Sequence, residues 1–233
     1  MFSRSTALLG TESMTQLRSR RVILFGIGGV GSWCAEALVR TGLTHLTIVD
    51  DDIVQISNIN RQLPAIQETI GRPKVEVLRE RLLAINPEAE ICAIQQRYSS
   101  ENASLFDLGQ YNYIIDAIDS VPDKTDLILR ASCTRGVKIY SSMGAALRFD
   151  PTKVTTGELM EIRGDALARA VRERMKQSGV KPSKKIRCVY SEEQAQRCKE
   201  RGSLMQVTAV FGCTLASLVI KDIISSVGTG MNR

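Results

Sequence analysis

The sequence predicts an α/β fold: one doubly wound, mostly parallel sheet with helices on both faces, followed by a basic helical and irregular appendage near the C-terminus. Three observations carry this expectation. Short apolar runs recur along the first two thirds of the chain and stop abruptly, as strands buried on both faces do. Segments with helical spacing separate them, the alternation that builds a parallel sheet. A glycine-rich turn joins the first run to the first of these segments. The composition agrees, with 233 residues, 43% of them hydrophobic and 24% charged. With no repeat or biased tract, it excludes disorder, coiled coil and collagen.

The elements follow in order. Arg21-Val22-Ile23-Leu24-Phe25 reads as a buried strand ending at Gly26. Residues 32–41 read as a helix through Trp33, Ala37 and Leu38, with Gly42 as its stop. Residues 46–49 form the next strand and complete a β-α-β unit. Pro73 suits the first turn of a helix over 73–85, whose face carries Val77, Leu78, Arg81 and Leu82, and Asn86-Pro87 ends it. Strands follow at 91–94 and 113–115, then a helix at 125–134 and a strand at 138–142. The pattern changes after Asp150-Pro151. Residues 165–178 are an amphipathic helix with Leu167, Val171 and Met175 on one face, Arg169, Arg172, Arg174 and Lys176 on the other, and Gly179 as its stop. Residues 179–202 read as polar, basic and mobile apart from a strand-like stretch at 186–190. The apolar run 207–220 is shorter than a membrane span and is interrupted by Thr208, Gly212, Thr214 and Ser217, so it reads as a buried helix. A single domain is expected: a core over 1–160, a basic substrate-facing segment over 161–204 and a core helix over 205–224.

Charge is unevenly placed. Residues 163–201 hold 12 Lys/Arg against five Asp/Glu, a surplus of seven in a chain whose total is +6. That segment either meets an anionic partner or forms a solvated face. The six cysteines contain no C-x-x-C pair, so neither a zinc ribbon nor a dithiol redox motif is signalled. The polar stretch 1–21 lacks the apolar centre of a signal peptide. A reducing cytoplasm and no membrane association are expected.

Gly26-Ile27-Gly28-Gly29-Val30-Gly31 fits G-x-G-x-x-G between a strand and a helix. Gly26 makes the turn, Gly28 lets backbone approach a phosphate, and Gly31 lets helix and strand close up. Asp50 ends the second strand, 19 residues after Gly31, where a carboxylate can hold ribose hydroxyls. NAD and ATP both offer those hydroxyls. The cations Arg61 and Lys74 downstream favour a triphosphate over a dinucleotide. Asp116-Ala117-Ile118-Asp119 sets two carboxylates at the carboxyl edge of the sheet, oxygen donors of the kind Mg²⁺ takes. The lone histidine, His45, reads as structural or exposed rather than as a general base.

As a set, Gly26–Gly31, Asp50-x-Asp52, Asn58-x-x-Arg61-Gln62, Lys74 and Asp116-x-x-Asp119 resemble the ThiF/MoeB/HesA superfamily, bacterial relatives of ubiquitin-activating enzymes. Asn60, Ser120-Val121 with Lys124, and Asp150-Pro151-Thr152 resemble its branch of tRNA threonylcarbamoyladenosine dehydratases. The resemblance is good over about 2–160. It implies a Rossmann-like, ATP-dependent enzyme in which Asp50 holds the ribose, Asn58, Arg61 and Lys74 bind and polarise the phosphates, and Asp119 holds Mg²⁺. Asp52 and the glycines, Gly29 included, join the nucleotide-binding set. Arg4 matches an arginine that reaches into the partner subunit's site, so a homodimer is implied. The segment Met143-Gly144-Ala145-Ala146 is less glycine-rich than is usual in the branch, and the chain after Ser191 aligns poorly.

Members of the class activate a carboxylate as an acyl-adenylate with release of pyrophosphate. The implied substrate is tRNA carrying threonylcarbamoyladenosine next to the anticodon, where an internal nucleophile closes a ring and expels AMP. The alternative is an adenylyltransferase for a ubiquitin-like sulfur-carrier protein, whose usual pair of C-x-x-C motifs is missing here. A sulfur-relay partner is a further expectation. An NAD-dependent oxidoreductase and a non-catalytic RNA-binding protein complete the field.

Overall fold

The computed structural model describes residues 1–200 and 202–228; Arg201, the last residue of the basic segment, lies outside them. Seven strands form one sheet in the order β3-β2-β1-β4-β5-β7-β6. They are β1 (Arg21–Phe25), β2 (His45–Val49), β3 (Glu90–Ile94), β4 (Tyr113–Asp116), β5 (Lys138–Ser142), β6 (Val154–Glu158) and β7 (Arg187–Ser191). All pairings are parallel except β6 with β7, which is antiparallel at one edge. The order reverses between β1 and β4, the switch point at which doubly wound sheets bind ligands.

Helices cover both faces. The chain begins with α1 (Ser3–Leu9) and α2 (Thr11–Ser19). The later helices are α3 (Gly31–Thr41), α4 (Lys74–Ile85), α5 (Val121–Cys133), α6 (Ala166–Ser178) and α7 (Met205–Gly228). One apolar core joins α3, α4 and α7 to one face of the sheet through residues such as Leu24, Leu38, Leu78 and Phe211. The other lies under α5 and α6 and contains Phe25, Ile114, Leu127 and Val171.

The central strands and α3, α4 and α6 lie where hydrophobic spacing puts them. Four features differ from expectation. The polar N-terminus forms two helices; α1 buries no residue, and α2 is anchored by Met14 and Leu17. Helix α5 starts at Val121, four residues early, with Ser120 preceding it and Pro122 in the first turn, where a missing N–H is harmless. Strand β6 was unpredicted because Val-Thr-Thr-Gly-Glu at a sheet edge has no apolar run to mark it. Helix α7 is long and apolar enough to cross a membrane by length and composition, but Val207, Phe211, Leu215, Val219 and Ile223 pack one face of it into the core.

The basic segment is divided by the fold. Asp165, Ala166, Leu167 and Ala170 face the cleft described below, and so does Ala195 of the connection after β7. Lys184 instead donates to the backbone carbonyl of Val137, just before β5, at the opposite end of the sheet. The stretch holding Lys181, Lys184 and Lys185 therefore lies at the end of the sheet opposite the cleft, and 161–204 does not face the cleft as one unit.

Candidate active site

Segments leaving the carboxyl ends of β1, β2, β3, β4 and β5 line a cleft of about 710 Å³ at the switch point, within the size range of small-molecule sites. The glycine turn forms part of its wall. Gly26 has φ of 88°, and a Cβ there would lie 2.6 Å from the carbonyl oxygen of Ala117 on the neighbouring β4 exit. A Cβ on Gly31 would lie 1.8 Å from the Gly26 carbonyl oxygen, which no adjustment of a side chain relieves. Both positions therefore exclude any larger residue. Among the described residues, the N–H groups of Gly28, Gly29, Val30 and Gly31 take no protein acceptor. With the N-terminus of α3 behind them, they form a cradle for an anion.

Asp50 is fixed at the end of β2. Its Oδ2 accepts from the Ile27 N–H at 2.5 Å and its Oδ1 from the Asp52 N–H at 2.9 Å. Burial pushes its pKa above the ordinary aspartate value, against the pull of Lys74 and those two N–H groups. A carboxylate so anchored presents a fixed acceptor edge beside the glycine turn.

Arg61 lies beside the glycine turn, its Cγ 3.2 Å from where a Cβ on Gly29 would stand. Its Nη1 donates to the Ser57 carbonyl and to Asn60 Oδ1, both at 2.8 Å, while Nε and Nη2 have no acceptor among the described residues. The guanidinium is thus held by one end and open at the other, suited to bidentate contact with phosphate. Asn58 is buried, lines the cleft, and uses its Oδ1 to accept from the Gln55 N–H. Lys74 is buried, and its Nζ lies 2.6 Å from Oδ2 of the exposed Asp52. Contact of Lys74 with a phosphate would require that pair to loosen.

The two carboxylates after β4 have separate fates. Asp119 is exposed, lines the cleft and makes no hydrogen bond among the described residues, leaving hard oxygen donors open as Mg²⁺ requires. Asp116 is unavailable for a cation, which corrects the expectation of two oxygen ligands there. It is fully buried, with Oδ2 2.7 Å from Lys124 Nζ and 2.6 Å from Ser141 Oγ, while its Oδ1 accepts from the Ile118 N–H. The carboxylates of Asp50, Asp51 and Asp52 also come together. Arg4 lies on α1, whose neighbour Phe2 packs near Gly42, before β2, and it is absent from the lining of its own cleft.

Other cleft residues were given no role from the sequence, although Gln62 belongs to the Asn58-x-x-Arg61-Gln62 motif. Arg97 follows β3 and pairs with Asp123 at 2.7 Å, which raises its already high affinity for a proton. Its position just past a strand, on the ligand-bearing edge, was the available signal. Gln62 is buried with its Oε1 unpartnered. Arg148, also buried, lines the far side and pairs with Asp165 at 3.0 Å. No sequence signal joined those last two residues.

Comparison with known proteins adds to this geometry. The ThiF family profile matches residues 2–232. The tRNA threonylcarbamoyladenosine dehydratase of Bacillus subtilis is 38% identical over 193 residues, covering 82% of this chain and 74% of that protein. The crystal structure of the E. coli dehydratase TcdA in complex with ATP superposes with a TM-score of 0.91 at 33% identity, covering 98% of this chain and 95% of that one. A sulfur carrier protein adenylyltransferase of Thermus thermophilus is 34% identical, over 61% of this chain and 51% of its own.

Proposed function

The chain belongs to the ThiF family, and from that membership we propose that it is an ATP-dependent tRNA threonylcarbamoyladenosine dehydratase. The observation that carries this reading is the extent of the likeness. By sequence the Bacillus subtilis dehydratase aligns over 82% of the chain and the adenylyltransferase over 61%, and the dehydratase fold superposes on 98% of it. The chain binds ATP and acts on tRNA.

In this reading the threonyl carboxylate attacks the α-phosphate, pyrophosphate leaves, and an acyl-adenylate forms. The glycine-turn N–H groups cradle phosphate, Asp50 accepts from the ribose, and Asn58, Arg61 and Lys74 bind the charge that shifts toward pyrophosphate. Asp119 would hold Mg²⁺, which when bound neutralises phosphate charge. An internal nucleophile of the substrate then closes the ring and AMP departs. Cysteine chemistry is not required, because the nucleophile that closes the ring belongs to the substrate; Cys34 and Cys188 are in any case buried, with burial pushing both thiols well above the ordinary range, while the other four are exposed. Within the basic segment, the tRNA phosphates would meet the cations that neighbour cleft-lining residues in sequence, Arg169 beside Ala170 and Arg197 two residues after Ala195, rather than the Lys181–Lys185 stretch. A cytoplasmic location and a sulfur-relay partner remain part of the proposal. The test is whether ATP is converted to AMP and pyrophosphate only when tRNA carries threonylcarbamoyladenosine; conversion driven by a sulfur-carrier protein favours the alternative.

The homodimer is supported by α1, which buries none of its residues and exposes Leu8, and by the absence of Arg4 from its own cleft. An arginine given in trans adds a cation at the leaving pyrophosphate. Arg4→Ala and Asp119→Ala should each be nearly inactive alone. Mixed under conditions of subunit exchange they should recover up to about a quarter of wild-type activity, since half the dimers are mixed and each holds one intact site. No recovery after demonstrated exchange excludes the in-trans role.

A further inference from the structure

The side of the cleft facing away from the glycine turn is built by residues 143–148, between β5 and β6. Arg148 organises this turn. It is 3% exposed, yet its guanidinium is almost fully engaged. Nη1 donates to the carbonyls of Gly144 at 2.5 Å and Ala146 at 3.2 Å, Nη2 meets Asp165 Oδ2 at 3.0 Å, and Nε donates to the Glu193 carbonyl at 3.2 Å. Asp165 is itself fixed: its Oδ1 caps α6 by accepting from the Ala168 N–H, and Oδ2 also accepts from the Gly144 N–H. The turn carries the one non-glycine residue with positive φ among the described residues, Leu147 at 63°, a conformation that persists only where surroundings impose it.

These bonds set the direction of the peptide groups. Among the described residues no peptide bond is cis, so each N–H points opposite to the C=O of its own plane. The Ala146 carbonyl turns toward Arg148, and the Leu147 N–H on the other side of that plane donates to the Gly202 carbonyl at 2.9 Å. The Gly144 carbonyl likewise turns toward Arg148, which sends the Ala145 N–H the opposite way. That N–H and the Ala146 N–H have no acceptor among the described residues, and both residues line the cleft. Half-buried backbone donors are rarely left without an acceptor unless water or a ligand supplies one.

We infer that the Ala145 N–H, oriented by Arg148 as a positioning residue, and the adjacent Ala146 N–H receive the carboxylate oxygen of the substrate that becomes the acyl carbonyl. This rests on the dehydratase reading above. During adenylation one carboxylate oxygen bonds to the α-phosphorus and the other sits on the two donors. In ring closure the internal nucleophile bonds to the acyl carbon, and the C=O pair moves onto that second oxygen. As this pair returns, the bond from carbon to the phosphate oxygen breaks. AMP leaves with that oxygen and its electron pair, and the nucleophile's proton passes to solvent. The donors therefore meet full negative charge in the tetrahedral intermediate, where fixed N–H groups act most strongly.

Replacing the Ala145 amide by an ester, with the α-hydroxy analogue of alanine, removes one donor and leaves the side chain unchanged. In single turnovers with ATP and modified tRNA, AMP release should slow about 100-fold, the usual consequence of losing one such donor. Pyrophosphate release should change much less, so that acyl-adenylate accumulates. Arg148→Lys, which keeps the charge but only part of the bonding, should fall between this variant and Arg148→Met, with ATP affinity and melting temperature followed as controls for the fold. Unchanged AMP release in the folded ester variant, or equal slowing of both products, overturns the inference. Failure of the wild-type chain to turn over modified tRNA would instead overturn the dehydratase reading.

Discussion

Arg61→Ala should lower pyrophosphate release by about 10²- to 10³-fold while weakening ATP binding far less. The reason is the arrangement of the side chain. Nη1 is held by Ser57 and Asn60, so the open Nε and Nη2 edge needs little reorganisation to meet charge as it develops. A group that neutralises charge mainly in the transition state affects turnover more than ground-state affinity. The backbone cradle and Asp50 remain to hold the nucleotide. Rapid-quench measurement of pyrophosphate beside equilibrium ATP binding separates the two quantities. Parallel losses in both would make Arg61 an ordinary binding group, and wild-type release would remove it from the reaction.

Lys124→Met should destabilise the chain by about 3–5 kcal/mol, because it leaves Asp116 buried without its counter-charge. Lys124 Nζ reaches Asp116 Oδ2 at 2.7 Å, the Ser142 carbonyl at 2.9 Å and Ser141 Oγ at 3.2 Å, so its three protons are all placed. The expected fall in melting temperature is about 6–20 °C for a chain of this size. Adding Asp116→Asn should restore part of the loss, since the stranded charge goes with it. A single variant that melts with the wild type would mean that this pair does not hold β4, α5 and β5 together.

The contrast between these two arginine and lysine residues shows what the sequence can convey. Strands β1 and β4 are legible because burial on both faces leaves an unbroken apolar run, and the glycine turn is legible because two of its positions admit no Cβ. Arg61 is visible as a cation at a telling distance from that turn. The Asp116 carboxylate is not visible as a structural group, because its partner lies eight residues later, on the first turns of a helix whose start was itself placed too late. Arg148 and Asp165 belong to segments read separately, one following the strand at 138–142 without a role and the other opening the helix over 165–178. Their pairing exists only through the return of β6 and β7, and β6 carries no hydrophobic signature. Helices α1 and α2 escape for the same reason: polar sequence with few buried residues leaves no periodic pattern to read.

The most direct measurement of the central claim is the mass of the nucleoside next to the anticodon. Modified tRNA is incubated with the chain and ATP, digested, and the threonylcarbamoyladenosine compared with its product while AMP and pyrophosphate are counted. The predicted result is a nucleoside lighter by one water, with one AMP and one pyrophosphate formed for each ring closed. An unchanged nucleoside mass, with adenylate appearing instead on the C-terminus of a sulfur-carrier protein, would contradict the account.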